Sequence, residues 1–283
     1  MKIKLSIIFT LFIALTGFSQ SAFPYDFSKM EKRIILPAVL NEVSGLTDID
    51  LQYVACVQDE FGTVFVHDLQ AGKIVATNRF DNQGDFEGLT YTGNAIYILR
   101  SDGRLTEWSD FSINGNSGKI NNYKLSLPTS DNEGLAFDPD HNRLLISGKN
   151  KPDIKNKKNE RYIYEFDIST KKLQDEPAFI LDLDELENYI TENNLELFTA
   201  KKKINFSPAS LAIHPVTKHI YIISARDFLL LVIDQKGDLL YIEALNPELF
   251  PQAEGITFLK NGTMIITNEA NSGVPSLLTF EML

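Results

Sequence analysis

The sequence predicts an all-β fold, a β-propeller built from five four-stranded blades. A short motif with a central glycine recurs along the chain, the copies are separated by steps in the forties, and each period contains several short strand patterns. A period of this length with about four short strands is typical of a propeller blade. The copies are aligned on the glycine position at Gly45, Gly88, Gly134, Ser210 and Gly255.

The steps between copies are 43, 46, 76 and 45 residues. The step of 76 residues indicates one ordinary blade plus an insertion of about 30 residues, which repeat architectures accommodate in loops. Five copies therefore imply five blades, with six blades as the alternative.

Each repeat contains strand patterns after the motif, ended by turn residues. In the first repeat the predicted strands are 45–48, 52–58, 63–68 and 73–78. The second repeat has further strands at 95–100, 105–108 and 122–127. The third has 143–147, 161–168 and 178–183, and the fourth has 219–224, 229–234 and 239–243.

The two ends of the chain predict how the ring closes. The last repeat ends after its third strand, near Phe280, and one spare strand precedes the first repeat, at 32–40. Pairing of 32–36 with the strand that contains Leu277 would complete the fifth blade and leave no open edge.

Two insertions interrupt the regular pattern. Residues 150–160 lengthen the loop between the second and third strands of blade three, and 184–206 lengthen the connection to blade four. Asp184 is a candidate N-cap for a short helix in the second insertion. Both insertions are expected on the face of the propeller that carries the glutamates described below.

The N-terminus predicts export. Lys2 and Lys4 precede an apolar stretch at 5–18, followed by small residues, which indicates a signal peptide over 1–21 and a single propeller domain over 22–283. The apolar stretch is short for a membrane span, and no later segment approaches the needed length. We therefore expect a monomer in the periplasm, cell envelope or extracellular space, with no transmembrane segment in the mature chain.

Charge and cysteine content limit the function. The formal net charge is −11, and removal of the two leader lysines makes it −13, which argues against general nucleic-acid binding. The single cysteine, Cys56, lies in an apolar strand pattern and cannot form an internal disulfide.

Acidic side chains recur at fixed places before the glycine position. One place before it stand Ser44, Glu87, Glu133, Ala209 and Glu254, and three places before it stand Glu42, Asp85, Asp131, Ser207 and Gln252. Because first strands line the propeller channel, these side chains should converge at one mouth. Hard oxygen ligands suit Ca²⁺, and the expected ligands are Glu42, Glu87, Glu133 and Glu254. The alternative is that each carboxylate caps its own loop.

Cationic side chains end the second strands on the same face. Arg100, Lys149 and Arg226 are assigned to matching places in three blades. With Asp85, Asp131 and Asn268 they could hold a small anionic ligand, or they could pair with the carboxylates as a structural network. No catalytic triad, phosphate-binding glycine loop or zinc spacing is present in the sequence.

The motifs at 42–46, 85–89, 131–135 and 253–256 resemble those of the SdiA-regulated family of bacterial envelope β-propellers. The resemblance implies the fold and the compartment, while the family has no settled activity. More distantly, the acidic channel resembles calcium-dependent propeller hydrolases.

Two function classes remain open from the sequence. The first is a non-catalytic exported propeller that binds a ligand or Ca²⁺. The second is a metal-dependent hydrolase of a phosphoester (phytase-like) or lactone, with Arg100, Lys149 and Arg226 orienting an anion. The fourth copy departs from the pattern at Ala209 and Ser207.

Overall fold

Five antiparallel sheets form a ring in the computed structural model, which describes residues 23–114, 118–198, 203–271 and 273–283. The predicted signal peptide at 1–21 lies outside the described residues. Strand β1 (Lys32–Ile35) comes first and is followed by a 3₁₀ turn at Ala38–Leu40.

The first two blades each contain four strands. Blade one comprises β2 (Val43–Asp48), β3 (Tyr53–Gln58), β4 (Phe61–Asp68) and β5 (Lys73–Gln83). Blade two comprises β6 (Phe86–Tyr91), β7 (Ala95–Arg100), β8 (Arg104–Ser109) and β9 (Ile120–Lys124).

The remaining blades follow the same order. Blade three comprises β10 (Asn132–Asp138), β11 (Arg143–Gly148), β12 (Glu160–Asp167), β13 (Lys172–Leu173) and β14 (Phe179–Asp182). Blade four comprises β15 (Ser210–Ile213), β16 (Ile220–Ser224), β17 (Leu229–Ile233) and β18 (Leu239–Ala244). Blade five comprises β19 (Ala253–Phe258), β20 (Met264–Asn268) and β21 (Ser276–Phe280), with β1 as its outer strand.

The predicted closure of the ring is confirmed. Strand β1 pairs antiparallel with β21, and Ile34 lies opposite Leu277. The prediction of five blades is confirmed as well. Blade three differs in one detail, because β13 and β14 share its outer position by pairing with different parts of β12.

The core is divided among the interfaces between blades. Five clusters of buried aliphatic and aromatic side chains lie between consecutive blades, including the interface between blades five and one. Because every sheet has an apolar face toward each neighbour, the ring has no exposed end. Cys56 is a buried member of one cluster, as expected for core filling.

The glycine of the motif is explained by the close approach of neighbouring inner strands. A Cβ added at Gly88 would lie 2.6 Å from the Glu133 carbonyl oxygen of the next blade. A Cβ at Gly45 would lie 2.6 Å from the Leu89 nitrogen. The repeat therefore carries glycine where two backbones touch beside the channel.

The two insertions lie on the same face, as expected. Helix α1 (Leu183–Glu192) follows β14, and its N-cap is Asp182, not Asp184. The Asp182 side chain accepts a hydrogen bond from the Asp184 backbone nitrogen at 2.9 Å. Asn159, in the first insertion, donates from Nδ2 to the Asp184 carboxylate. Among the described residues, no helix is long and apolar enough to cross a membrane.

Candidate functional site

The candidate site is the acidic mouth, defined as the end of the channel that carries Glu87, Glu133, Glu254 and Lys149. The Lys149 ammonium group lies 2.5 Å from Glu133 Oε1, and the charges of Glu87 and Glu254 also act on it. The sequence prediction that side chains from blades two, three and five converge at one mouth agrees with this arrangement.

A β-bulge presents each of these glutamates. Between β6 and β7 the pairing passes from Phe86 to Gly88, so Glu87 has no partner residue. Glu133 is skipped in the same way between β10 and β11, and Glu254 between β19 and β20. A bulge turns the extra residue out of the alternating pattern of the strand. The bulges therefore aim the three glutamates differently from their neighbours.

Glu133 is the most constrained of the three. The residue is 4% exposed, and its Oε1 atom lies 2.5 Å from Lys149 Nζ. Within the described part of the chain, its Oε2 atom has no hydrogen-bond partner. Burial and the nearby Glu254 and Glu87 raise the pKa of Glu133 to about 9, and Lys149 opposes the shift. A buried carboxylate oxygen without a partner is costly, so this atom is poised to bind a proton or a cation.

The neighbouring carboxyls share this tendency to hold protons. Burial raises the pKa of Glu87 to about 7, although Ser44 Oγ donates to Glu87 Oε2 at 2.9 Å. Burial also raises the pKa of Glu254, and that of Glu269 to about 8. The Gln252 side-chain amide donates to Glu269 and interacts with Glu254. The sequence analysis placed Gln252 at the mouth without assigning it as a ligand, and it did not assign Glu269, although Glu269 follows directly on the second strand β20.

Glu42 lies at the edge of the acidic mouth. Glu42 is exposed, and its side chain contacts the carboxyl of Asp59. Burial and Glu42 raise the pKa of Asp59 to about 6. Glu42 is therefore less central than the glutamates of the bulges.

The aspartates of the motif do not enter the channel. Asp85 and Asp131 precede β6 and β10 and are exposed. The Asp85 carboxylate accepts a hydrogen bond from Ser101 Oγ, and that of Asp131 accepts one from Asn150 Nδ2 at 2.6 Å. These two side chains form hydrogen bonds within loops, as in the alternative in which each carboxylate caps its own loop.

Arg100 is offset from Lys149 by one residue. Arg100 pairs with Phe86 in the ladder, whereas Gly148 pairs with the equivalent Asn132, so Ser101 occupies the place of Lys149. The Arg100 guanidinium instead binds the Asp102 carboxylate, with Nη2 at 2.7 Å from Oδ2.

The other two predicted ligand residues differ from each other. Asn268 is fully buried, and its Nδ2 atom donates to the Leu249 carbonyl oxygen at 3.2 Å. Arg226 is exposed, and none of the described residues forms an ion pair or hydrogen bond with its side chain. Of the cations predicted for an anionic ligand, Lys149 and Arg226 are therefore the two that lie together, because both line one cavity.

That cavity lies where the glutamate ring is interrupted. Its volume is about 260 Å³, and it is lined by Lys149, Ala209, Arg226, Phe228, Gln252 and Glu254 among others. Ala209 occupies the place of a glutamate in the fourth copy and leaves room there. The short side chain thus opens the acidic mouth on the side of blade four.

A second cavity lies at the opposite end of the inner strands. It has a volume of about 460 Å³ and shares no lining residue with the first. Its walls include Tyr91, Phe137 and Ile213, together with the half-buried Asp48. Asp48 Oδ1 accepts a hydrogen bond from Thr257 Oγ1 at 3.1 Å. The Asp48 carboxylate therefore takes part in a contact between blades one and five.

The predicted Ca²⁺ site requires several carboxylates close enough together to share one ion. Within the described parts of the chain, no three histidine, cysteine, aspartate or glutamate side chains stand close enough together to share a metal ion. The ammonium group of Lys149 lies among the glutamates instead. A cation would therefore need side-chain movement at the acidic mouth.

Comparison with known proteins supports the fold. A family model described as SdiA-regulated matches residues 21–274. No curated protein sequence matches the chain significantly.

Two solved structures are similar over nearly their whole length. The glutaminyl cyclase of Myxococcus xanthus has a TM-score of 0.59 and 15% identity, covering 90% of this chain and 95% of that one. A luciferin-regenerating enzyme has a TM-score of 0.52 and 11% identity, covering 89% of this chain and 96% of that one. At these identities the similarity shows the fold alone.

Proposed function

The chain belongs to the SdiA-regulated family, and from that premise we propose that it is an exported, ligand-binding β-propeller whose acidic mouth binds a cation, with Ca²⁺ as the first candidate. The observation that carries the proposal is the buried Oε2 atom of Glu133, which has no hydrogen-bond partner among the described residues and is affected by the charges of Glu87 and Glu254.

The charge balance supports a cation at this place. Three buried or half-buried glutamates share the single ammonium group of Lys149. Burial of carboxylates is unfavourable unless they are protonated or neutralised. A divalent ion supplies twice the charge of Lys149 and more oxygen coordination sites, so it would displace the protons that these groups otherwise hold.

Lys149 can leave the cluster. Its side chain is 38% exposed, whereas that of Glu133 is 5% exposed. Movement of the ammonium group into solvent costs little for a long, half-exposed side chain. It would free Glu133 Oε1 as a second oxygen ligand. We therefore expect Lys149 and Ca²⁺ to compete for the same carboxylate.

Calorimetric titration with CaCl₂ tests this competition. Glu133→Gln should abolish or strongly weaken Ca²⁺ binding, and Lys149→Met should strengthen it. Glu281→Gln, an exposed change at the C-terminus, is the matched control and should bind like the parent. Mg²⁺ should bind more weakly, because it demands a stricter geometry. The proposal fails if neither the parent nor Lys149→Met binds Ca²⁺.

Export rests on the N-terminal pattern of Lys2, Lys4 and the apolar stretch at 5–18. Expression of the full chain in a Gram-negative host, followed by fractionation and N-terminal mass analysis, should give a periplasmic protein shortened by the leader. An unprocessed protein in the cytoplasm would contradict this part of the proposal.

A further inference from the structure

The cavity beside Ala209 combines opposite charges within a small volume. Arg226 and Lys149 bring positive charge to its lining, and Glu254 brings a carboxyl that is 8% exposed. Gln252, whose amide interacts with both Glu254 and Glu269, supplies a neutral hydrogen-bonding wall. A ligand that matched this lining would carry an anionic group and a cationic group a few bonds apart.

Arg226 is an anion-binding group that the described residues leave unpaired. It is exposed, and no described residue pairs with its guanidinium. Lys149, by contrast, already contacts Glu133. An unpaired guanidinium binds a carboxylate through two parallel hydrogen bonds, which fixes orientation as well as charge.

The turn that carries Arg226 is strained next to the cavity. Phe228 has a φ of +53°, a left-handed conformation that is unfavourable for a bulky side chain. Its partly buried ring packs against the core between blades four and five and also lines the cavity. Strain of this kind is concentrated at binding sites. Here it places an aromatic wall beside the two charged ends.

The volume of the cavity indicates a small ligand. At about 260 Å³ the cavity lies just below the roughly 300–1,000 Å³ range of small-molecule pockets. A ligand the size of one amino acid suits a site at that end of the range.

We propose that this cavity binds a small zwitterion, a free α-amino acid being the simplest, with the ligand carboxylate on Arg226 and the ligand ammonium on Glu254. The proposal rests on the proposed function in one respect, since both place binding at the acidic mouth. It does not require Ca²⁺.

The experiment uses the full chain in the presence of EDTA, so that calcium binding cannot contribute. The twenty common amino acids are screened by thermal shift at millimolar concentration, and the strongest is titrated by calorimetry. It is then compared with two matched probes, the amine that lacks its carboxylate and the acid that lacks its amino group. Binding of the amino acid should exceed that of either probe by at least tenfold, because each probe leaves one charged group of the cavity unmatched.

Two variants test which residue binds each charged group of the ligand. Arg226→Gln should weaken binding of the amino acid by about tenfold to a hundredfold and leave binding of the amine probe unchanged. Glu254→Gln should weaken binding of both the amino acid and the amine probe. Arg33→Gln, an exposed change on β1, should bind like the parent. Arg226 is on the surface, so its variant should fold even if Glu254→Gln does not.

The results separate this proposal from the calcium proposal. Amino-acid binding in EDTA, with no Ca²⁺ binding in a separate titration without EDTA, would support the zwitterion proposal and overturn the calcium proposal. Ca²⁺ binding with no response to any amino acid would do the reverse. Equal binding of the acid probe and the amino acid, or no effect of Arg226→Gln, would also overturn the zwitterion proposal.

Discussion

Lys149 Nζ lies 2.5 Å from Glu133 Oε1, and the same ammonium group interacts with Glu87 and Glu254 from two other blades. One side chain on β11's end therefore balances carboxylates that the closed ring brings together. The contact itself lies within blade three, while carboxylates of blades two and five act on the same ammonium group through their charge.

Removal of Lys149 should destabilise the protein through the charge that it leaves behind. At about pH 10, above the raised pKa of Glu133, Lys149→Met should lower the free energy of unfolding by about 1–3 kcal/mol, the cost of a buried charged group without a partner, and at pH 7, where Glu133 is protonated, the loss should be smaller. The measurement is urea denaturation in EDTA.

A double variant distinguishes the loss of the Lys149–Glu133 charge interaction from the loss of packing by the Lys149 side chain. At about pH 10, addition of Glu133→Gln to Lys149→Met should recover much of the stability, since the amide removes the buried negative charge that Lys149 balanced. If the two changes are additive, the contact contributes no coupling and the interpretation is wrong.

Stability should fall as the pH rises. The pKa of Glu133 is raised from its usual 4.5 to about 9 by burial, that of Glu269 to about 8 and that of Glu87 to about 7. A carboxyl with a raised folded-state pKa contributes stability that is present below its unfolded pKa and is lost as the pH rises through the folded value. In EDTA, the melting temperature should therefore decrease between about pH 5 and pH 9.

Glu133→Gln tests the origin of this pH dependence. The amide cannot ionise, so the decrease should become shallower, while Glu281→Gln should follow the parent. A parent melting temperature that stays constant or rises over this range would show that the carboxyls are ionised in the folded protein.

The repeat made the ring predictable from the sequence. The spacing of Gly45, Gly88, Gly134 and Gly255 located four inner strands, and the spare strand at the N-terminus identified the partner of β21. Both follow from local patterns that each blade repeats, because every blade must bury the same faces.

The details of the acidic mouth could not be derived in the same way. Strict alternation along a strand predicts that Asp131 and Glu133 point together, yet the bulge at Glu133 separates a buried glutamate from an exposed aspartate. The offset of Arg100 relative to Lys149 arises from ladder register, which the motif does not report. A bulge changes direction without changing the repeat length, so the period carries no trace of it.

The closing strand offers a matched pair of adjacent isoleucines. Ile34 is 5% exposed and packs in the core between blades five and one, whereas Ile35 is 54% exposed. Ile34→Ala should lower the free energy of unfolding by about 2–5 kcal/mol, and Ile35→Ala should change it by less than about 0.5 kcal/mol. Urea denaturation of both variants checks this. Equal effects would mean that β1 does not seal the ring as described.

The motif glycines should resist substitution for a steric reason. A Cβ at Gly88 would lie 2.6 Å from the Glu133 carbonyl oxygen and 2.8 Å from Leu135 Cβ. Backbone atoms cannot move aside cheaply, so Gly88→Ala should cost about 1–3 kcal/mol. Gly273→Ala is the control, since its nearest atom would be at 3.6 Å. A thermal melt of Gly88→Ala that matches the parent would show that the inner strands are less tightly packed.

Calcium binding should release protons, because Ca²⁺ and the protons bind the same carboxyl groups. At neutral pH the raised pKa of Glu133, about 9, keeps this group protonated, and the pKa of Glu87, about 7, leaves it partly protonated. A cation binds the ionised carboxylates, so their protons must leave as it enters. The affinity for Ca²⁺ should therefore increase from about pH 6 to pH 9. Calorimetry in PIPES and in Tris, whose ionisation enthalpies differ, should give different apparent enthalpies, and Glu133→Gln should reduce that difference. Calcium affinity that is independent of pH, with equal enthalpies in the two buffers, would place the ion away from these glutamates.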